Sequence, residues 1–188
     1  ANNAVISGFT LKNSGESDLR HSNCGVYVEG DYAPVIRGNL IIGNRIGIGA
    51  WYGAHPEVRN NVIENNVDGL YLYCSQANPT DPNVFNNTIV GNDEYGVMSY
   101  YATDVVITNC IIWANGTDEL YAADSETVTV TYSCIEGGYD PTGSNISSDP
   151  CFVDADVNTC IISGHCDLDK FPLERIIEIF RKEDTGYT

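Results

Sequence analysis

Asn39-Leu40-Ile41-Ile42-Gly43-Asn44, followed by Gly47-Ile48, is the stretch that decides the fold. It returns as Asn61-Val62-Ile63-Glu64-Asn65-Asn66 with Gly69-Leu70, and as Asn87-Thr88-Ile89-Val90-Gly91-Asn92 with Gly96-Val97. With the central isoleucine as marker, Ile41, Ile63, Ile89, Ile111 and Ile135 stand 22, 26, 22 and 24 residues apart. Repeats of this length, built from short β segments and asparagine turns, stack as a solenoid, because one segment cannot bury its apolar face alone. Parallel stacking at about 4.8 Å per level sets isoleucine on isoleucine and asparagine on asparagine. Amides stacked at a bend hydrogen-bond from level to level, so a polar residue recurs as faithfully as the aliphatic ones.

Weaker copies extend the frame in both directions. An opening copy carries Ile6-Ser7-Gly8-Phe9-Thr10-Leu11 and resumes at Gly25-Val26-Tyr27-Val28. A fifth runs from Val105 through Asn109-Cys110-Ile111-Ile112 to Leu120-Tyr121-Ala122, and a sixth, Val128 to Ile135, puts Ser133 where the turn asparagine stood. The Asn-x-Ile-x-x-Asn frame with its Gly-aliphatic pair resembles the right-handed parallel β-helix repeat family, the pectate-lyase-like solenoids. The segment Tyr132 to Gly138, with Asn145-Ile146 and Asp149 to Asp154, is similar to the closing coils of bacterial secreted members. The resemblance implies an all-β, single-stranded right-handed parallel β-helix of about six coils over residues 1–154. It leaves activity open, since the family holds lyases, hydrolases, epimerases and adhesins.

Residues 155–188 depart from the pattern. Leu173, Ile176, Ile177 and Phe180 fall on one face of an amphipathic helix, predicted over about 171–182, with Pro172 suited to its first turn and Arg181 and Lys182 to its last. Such a helix either covers the last apolar coil or makes a homo-oligomer contact. Asp154-Ala155-Asp156-Val157-Asn158 has the start of an EF-hand-type loop, but Thr159 and His165 stand where glycine and glutamate belong.

The chain carries 9 basic and 26 acidic side chains, a formal charge of −17. That field repels nucleic acid and anionic lipid, and it repels acidic polysaccharides unless a divalent cation bridges them. No apolar run approaches the roughly 18 residues of a membrane span, so membrane insertion is not expected. Nothing beside Ala1 has the basic and apolar regions of a secretion signal, which reads as a processed or excised chain. The expected location is extracellular or at the cell surface. The cysteines number seven, so at least one has no partner within the chain. Cys110 and Cys134 are expected in one slot of adjacent coils as small buried thiols, while Cys160 and Cys166 are close enough in sequence to pair in a secreted protein.

Chemistry concentrates on the segment after each Gly-aliphatic pair. Aligned copies give one column of Tyr27, Gly49, Tyr71, Met98 and Tyr121, and another of Glu29, Trp51, Tyr73, Tyr100 and Ala123. Strand alternation turns both columns outward if Ile48, Leu70, Val97 and Leu120 point in. The expectation is an exposed stripe of Tyr27, Trp51, Tyr71, Tyr73, Tyr100 and Tyr121, suited to stacking on sugar rings of a polysaccharide or glycan. Loops beside it carry Asp31, Tyr32, His55, Glu57, Asp81, Asp104, Asp124 and Glu126. Of these, Asp31, Asp81, Asp104 and Asp124 are candidate Ca2+ ligands, or general acids and bases. Asp68, Asp93 and Asp118 form a second acidic set. A lyase would need an arginine near such a cluster, and only Arg37, Arg45 and Arg59 lie in the middle coils; no two aspartates are adjacent, as a polygalacturonase-like hydrolase would require. Three functions therefore stay open: a carbohydrate-binding module, a polysaccharide lyase or glycoside hydrolase, and a structural or adhesin fragment.

Overall fold

The computed structural model describes residues 4–15, 23–73, 80–101, 105–123, 128–140 and 143–152. The predicted helix at 171–182, the EF-hand-like stretch and Cys160 and Cys166 lie outside them. The solenoid belongs to one compact unit, Ala1–Asp149; of a second, Pro150–Thr188, only Pro150, Cys151 and Phe152 are described.

Among the described residues, each of the first five levels contributes one strand to each of three parallel sheets, and the sixth contributes to two. The levels are β1 (Val5–Ser7), β2 (Thr10–Lys12) and β3 (Cys24–Glu29); β4 (Val35–Arg37), β5 (Leu40–Ile42) and β6 (Ile46–Trp51); β7 (Glu57–Arg59), β8 (Val62–Glu64) and β9 (Asp68–Tyr73); β10 (Asn83–Phe85), β11 (Thr88–Val90) and β12 (Tyr95–Tyr100); β13 (Val105–Thr108), β14 (Ile111–Trp113) and β15 (Asp118–Ala122); and finally β16 (Val128–Thr131) with β17 (Cys134–Ile135). Sheet A stacks β1-β4-β7-β10-β13-β16, sheet B stacks β2-β5-β8-β11-β14-β17, and sheet C stacks β3-β6-β9-β12-β15. Every pairing is parallel.

Side chains that alternate inward from the three sheets meet in one core. Ile36, Val58, Val84 and Ile107 come from sheet A, Ile41, Ile63, Ile89 and Ile112 from sheet B, and Ile48, Leu70 and Val97 from sheet C, all fully buried. Each contributes about 1.5–3 kcal/mol of hydrophobic stabilisation, which no three-residue strand could collect alone.

Two ladders hold the corners. Asn39 Nδ2 donates to Asn61 Oδ1 at 3.0 Å, and Asn61 Nδ2 to Asn87 Oδ1 at 3.0 Å. Between sheets B and C, Asn44, Asn66, Asn92 and Asn115 repeat the pattern at 2.8 to 3.1 Å. The residue before each ladder position takes a left-handed backbone; Asn60, Asn86 and Asn109 have φ of 54°, 57° and 55°. Asparagine tolerates that region better than other side chains, so neighbouring asparagines serve different ends.

Two adjacent asparagine roles also correct the alignment. Ile89 pairs with Ile112 and Ile112 with Ile135, so the buried column runs through Ile112, not Ile111. Cys110, not Asn109, occupies the ladder slot: its Sγ accepts from Asn87 N at 3.5 Å, and its N–H donates to Ser133 Oγ at 3.1 Å. Cys110 and Cys134 therefore do not share a slot. Cys134 pairs with Ile111, where strand alternation turns it away from the core, and its thiol donates to Ser148 O at 3.2 Å. Burial pushes the Cys110 thiol up to about 11, so it is a neutral hydrogen-bonding group in the ladder.

Candidate functional site

The registers put Tyr27, Gly49, Tyr71, Met98 and Tyr121 in one column of sheet C and Glu29, Trp51, Tyr73 and Tyr100 in the other, as the alignment expected. Their exposure differs from expectation. Trp51 is fully buried and Tyr71 is 8% exposed. The cause is Gly49, which leaves a hole in its column. The Trp51 indole folds back into the space a side chain there would need, and lies between Tyr27 and Tyr71, with ring centroids 4.9 and 5.5 Å away. These three rings form a pile along the stack and turn their faces on one another. They are a stabilising spine more than a platform open to solvent.

Only Tyr27 at one end of this pile stays open, 40% exposed. Its hydroxyl donates to Glu29 Oε2 at 2.5 Å, and desolvation first, then this bond, raise its ionisation above the ordinary tyrosine range. Tyr121 packs instead against Tyr95, at 5.5 Å.

At the C-terminal edge of sheet C the rings do gather at the surface. Tyr73 and Tyr100 lie 6.1 Å apart with planes 7° from parallel. Tyr52 meets Tyr73 edge-on at 5.6 Å, and Tyr101 meets Tyr100 and Tyr73 edge-on at 4.7 and 6.2 Å. Tyr52 is 36% exposed and Tyr101 45%. Both have left-handed backbones, φ 49° and 61°, in the position that Gly30 fills after β3 with φ 77°. The turn out of sheet C demands that conformation. A tyrosine accepts it at a cost of about 1–2 kcal/mol that glycine avoids.

Neither Tyr52 nor Tyr101 stood out in the aligned columns, because each lies one position past the strand. Gly30 was the available signal, since a glycine after Glu29 marks a left-handed slot whose other occupants are then conspicuous.

The turn beside this cluster is stitched by polar contacts. Gly53 N–H donates to Thr80 Oγ1 at 3.2 Å, and that buried hydroxyl donates to Tyr73 O at 3.3 Å. His55 is brought between Asp31 and Asp81. Its Nδ1 is hydrogen-bonded to Asp81 Oδ1, and Nε2 faces Asp31 Oδ1 at 3.8 Å. An imidazole thus stands where a cation between the two carboxylates would. Asp104 and Asp124 lie outside the described residues. Among the described residues, no three His, Cys, Asp or Glu side chains are grouped to hold a metal. Of the second acidic set, Asp68 is buried and Asp93 and Asp118 are exposed. Arg37 and Arg59 pair in register on sheet A, on a different sheet from the tyrosines, and Arg59 Nε donates to Glu57 Oε1 at 2.5 Å.

Three parallel sheets around one core, laddered at their corners, define a parallel β-solenoid. A family model described as the right handed beta helix region matches residues 1–168, and the chain belongs to that family. Comparison with curated proteins and with solved structures gives no match.

Proposed function

We propose that the protein is an extracellular or cell-surface module that binds neutral glycans, without catalysis, through the tyrosine cluster Tyr52, Tyr73, Tyr100 and Tyr101. The observation that carries this reading is the left-handed backbone at Tyr52 and Tyr101. An exposed tyrosine held in a strained conformation that glycine would relieve contributes little to folding and is a sign of function. The rings offer apolar edges and hydroxyls, the combination that suits a sugar's apolar face and ring hydroxyls. The ligand is neutral because Asp31 and Asp81 flank the cluster and the whole chain carries −17. Tyr27 and the buried Trp51–Tyr71 pile support the sheet beneath, and Trp51 is thereby a scaffold residue. The lyase or hydrolase reading has less to rest on, since His55 engages both turn carboxylates and Arg37 and Arg59 belong to sheet A.

The test separates folding from binding. In Tyr52→Gly/Tyr101→Gly, relief of backbone strain, about 1–2 kcal/mol per site, offsets lost ring contacts of about 0.5–1.5 kcal/mol. Thermal stability should hold within a few degrees, while retardation in affinity gels cast with soluble neutral glucans or xylans should disappear. Unchanged retardation in the double variant removes the cluster as the binding site.

A further inference from the structure

Tyr73 and Tyr100 stand opposite each other in an outer column of sheet C. Adjacent parallel strands lie about 4.8 Å apart, and residues in register send their side chains the same way. The two rings accordingly run side by side, 6.1 Å between centroids and 7° from parallel, which brings their hydroxyl-bearing edges to the same side. Tyr52 abuts Tyr73 edge-on and Tyr101 abuts both, so neither ring is free to swing far from the other. Both Tyr73 and Tyr100 are half-buried, and part of each remains open to solvent.

Among the described residues no other tyrosine pair has this arrangement. Trp51 separates Tyr27 from Tyr71. Tyr95 and Tyr121 are out of register, opposite Asp118 and Met98, and their planes are tilted by 53°. The side chains that oxidants ordinarily attack first are scarce or shielded. The chain has one methionine, Met98, which is half-buried. Of the described cysteines, Cys110 and Cys134 are buried, Cys24 is half-buried and Cys151 is exposed.

We propose that Tyr73 and Tyr100 are a modification site, an oxidative cross-link in which a dityrosine bond joins β9 to β12. The co-reactant is hydrogen peroxide, acting through a haem peroxidase. Each phenol gives up one electron and one proton and becomes a phenoxyl radical. The two radicals pair at the ring carbons beside the hydroxyls, forming one carbon–carbon bond. The hydrogens on those carbons then move to the oxygens and restore both phenols. Peroxide takes up the two electrons and two protons and leaves as two waters. The product adds a covalent tie between the third and fourth levels, across a contact otherwise held by backbone hydrogen bonds and packing. The cross-link goes beyond the glycan reading and does not depend on it.

The test uses the full chain, its accessible thiols alkylated first, and dilute enough that encounters between molecules are rare. Haem peroxidase and peroxide should raise dityrosine fluorescence in the monomer fraction. Peptide mapping should then recover a joined pair of peptides that carries Tyr73 and Tyr100 and is lighter by the two hydrogens lost. Y100F keeps the ring but not the phenol, so its monomer should stay at the untreated level, while Y95F should match the wild type. Fluorescence confined to covalent dimers, a Y100F monomer as bright as the wild type, or a joined pair lacking Tyr73 or Tyr100 overturns the proposal. Should Y100F fail to fold, the wild-type peptide map decides: the Tyr73–Tyr100 pair supports the cross-link, and its absence rejects it.

Discussion

Asn65 and Asn66 are chemically identical neighbours with opposite burdens. Asn66 is buried; its Oδ1 accepts from Asn44 N and Nδ2 at 3.0 Å, and its Nδ2 lies within 3.1 Å of Ile41 O, Glu64 O and Asn92 Oδ1. Asn65 is exposed and serves through its backbone, at φ 51°. Replacing Asn66 by alanine takes the acceptor from the Asn44 backbone N–H and removes the side-chain donor to Ile41 O, Glu64 O and Asn92 Oδ1. A buried N–H left without an acceptor costs about 1–3 kcal/mol and each lost bond about 0.5–1.5 kcal/mol, so Asn66→Ala should lose about 3–5 kcal/mol in urea denaturation. Asn65→Gly relaxes a left-handed backbone and should be neutral, or stabilising by up to about 1 kcal/mol. Equal losses at the two positions would contradict the division of labour between ladder and bend.

At the scale of an element, the same division decided what could be read from sequence. The levels from β4 to β12 were legible because Asn39, Asn61 and Asn87 share their frames with Ile41, Ile63 and Ile89. The fifth level was misplaced by one residue. Asn109 matched the pattern by name, yet it fills the left-handed position while Cys110 takes the ladder. A residue name does not distinguish a backbone role from a side-chain role when the two are adjacent. The site was legible to a similar depth: the sheet C columns were recovered, but Trp51's burial depends on a ring swinging into the hole at Gly49, which a column of letters does not show. The ladder reading makes its own forecast. Cys110→Asn gives Asn87 N a proper oxygen acceptor, and an amide donor to Val84 O and Thr108 O, in place of contacts at 3.4 to 3.9 Å. A hydrogen bond of that kind contributes about 0.5–1.5 kcal/mol, so the variant should be stabilised by about 1 kcal/mol. A loss above that size, measured by urea denaturation, means the corner at Cys110 is too narrow for an amide.

Across the whole solenoid, stability depends on where a fault lies, because each level touches only its neighbours. Gly25 and Gly69 test this with the same chemistry. A Cβ at Gly69 would sit 2.5 Å from Gly96 O and 2.9 Å from Ile89 Cγ2; one at Gly25 would sit 2.9 Å from both Gly47 O and Ile41 Cγ2. Both clashes are largely with backbone and packed core, which cannot yield without parting two levels. At Gly25 the parting isolates only β1, β2 and β3. At Gly69 it falls between β9 and β12 and divides the stack into halves that must each support a core. Gly25→Ala should therefore raise amide exchange in the first level and leave Ile63, Ile89 and Ile112 protected. Gly69→Ala should raise exchange on both sides of the break and split a single unfolding transition into two broader ones, with an overall loss of about 3 kcal/mol or more, the scale of overpacking a well-filled core. If Gly25→Ala deprotects Ile112 as strongly as the first level, the levels unfold as one body and the nearest-neighbour account of this solenoid fails.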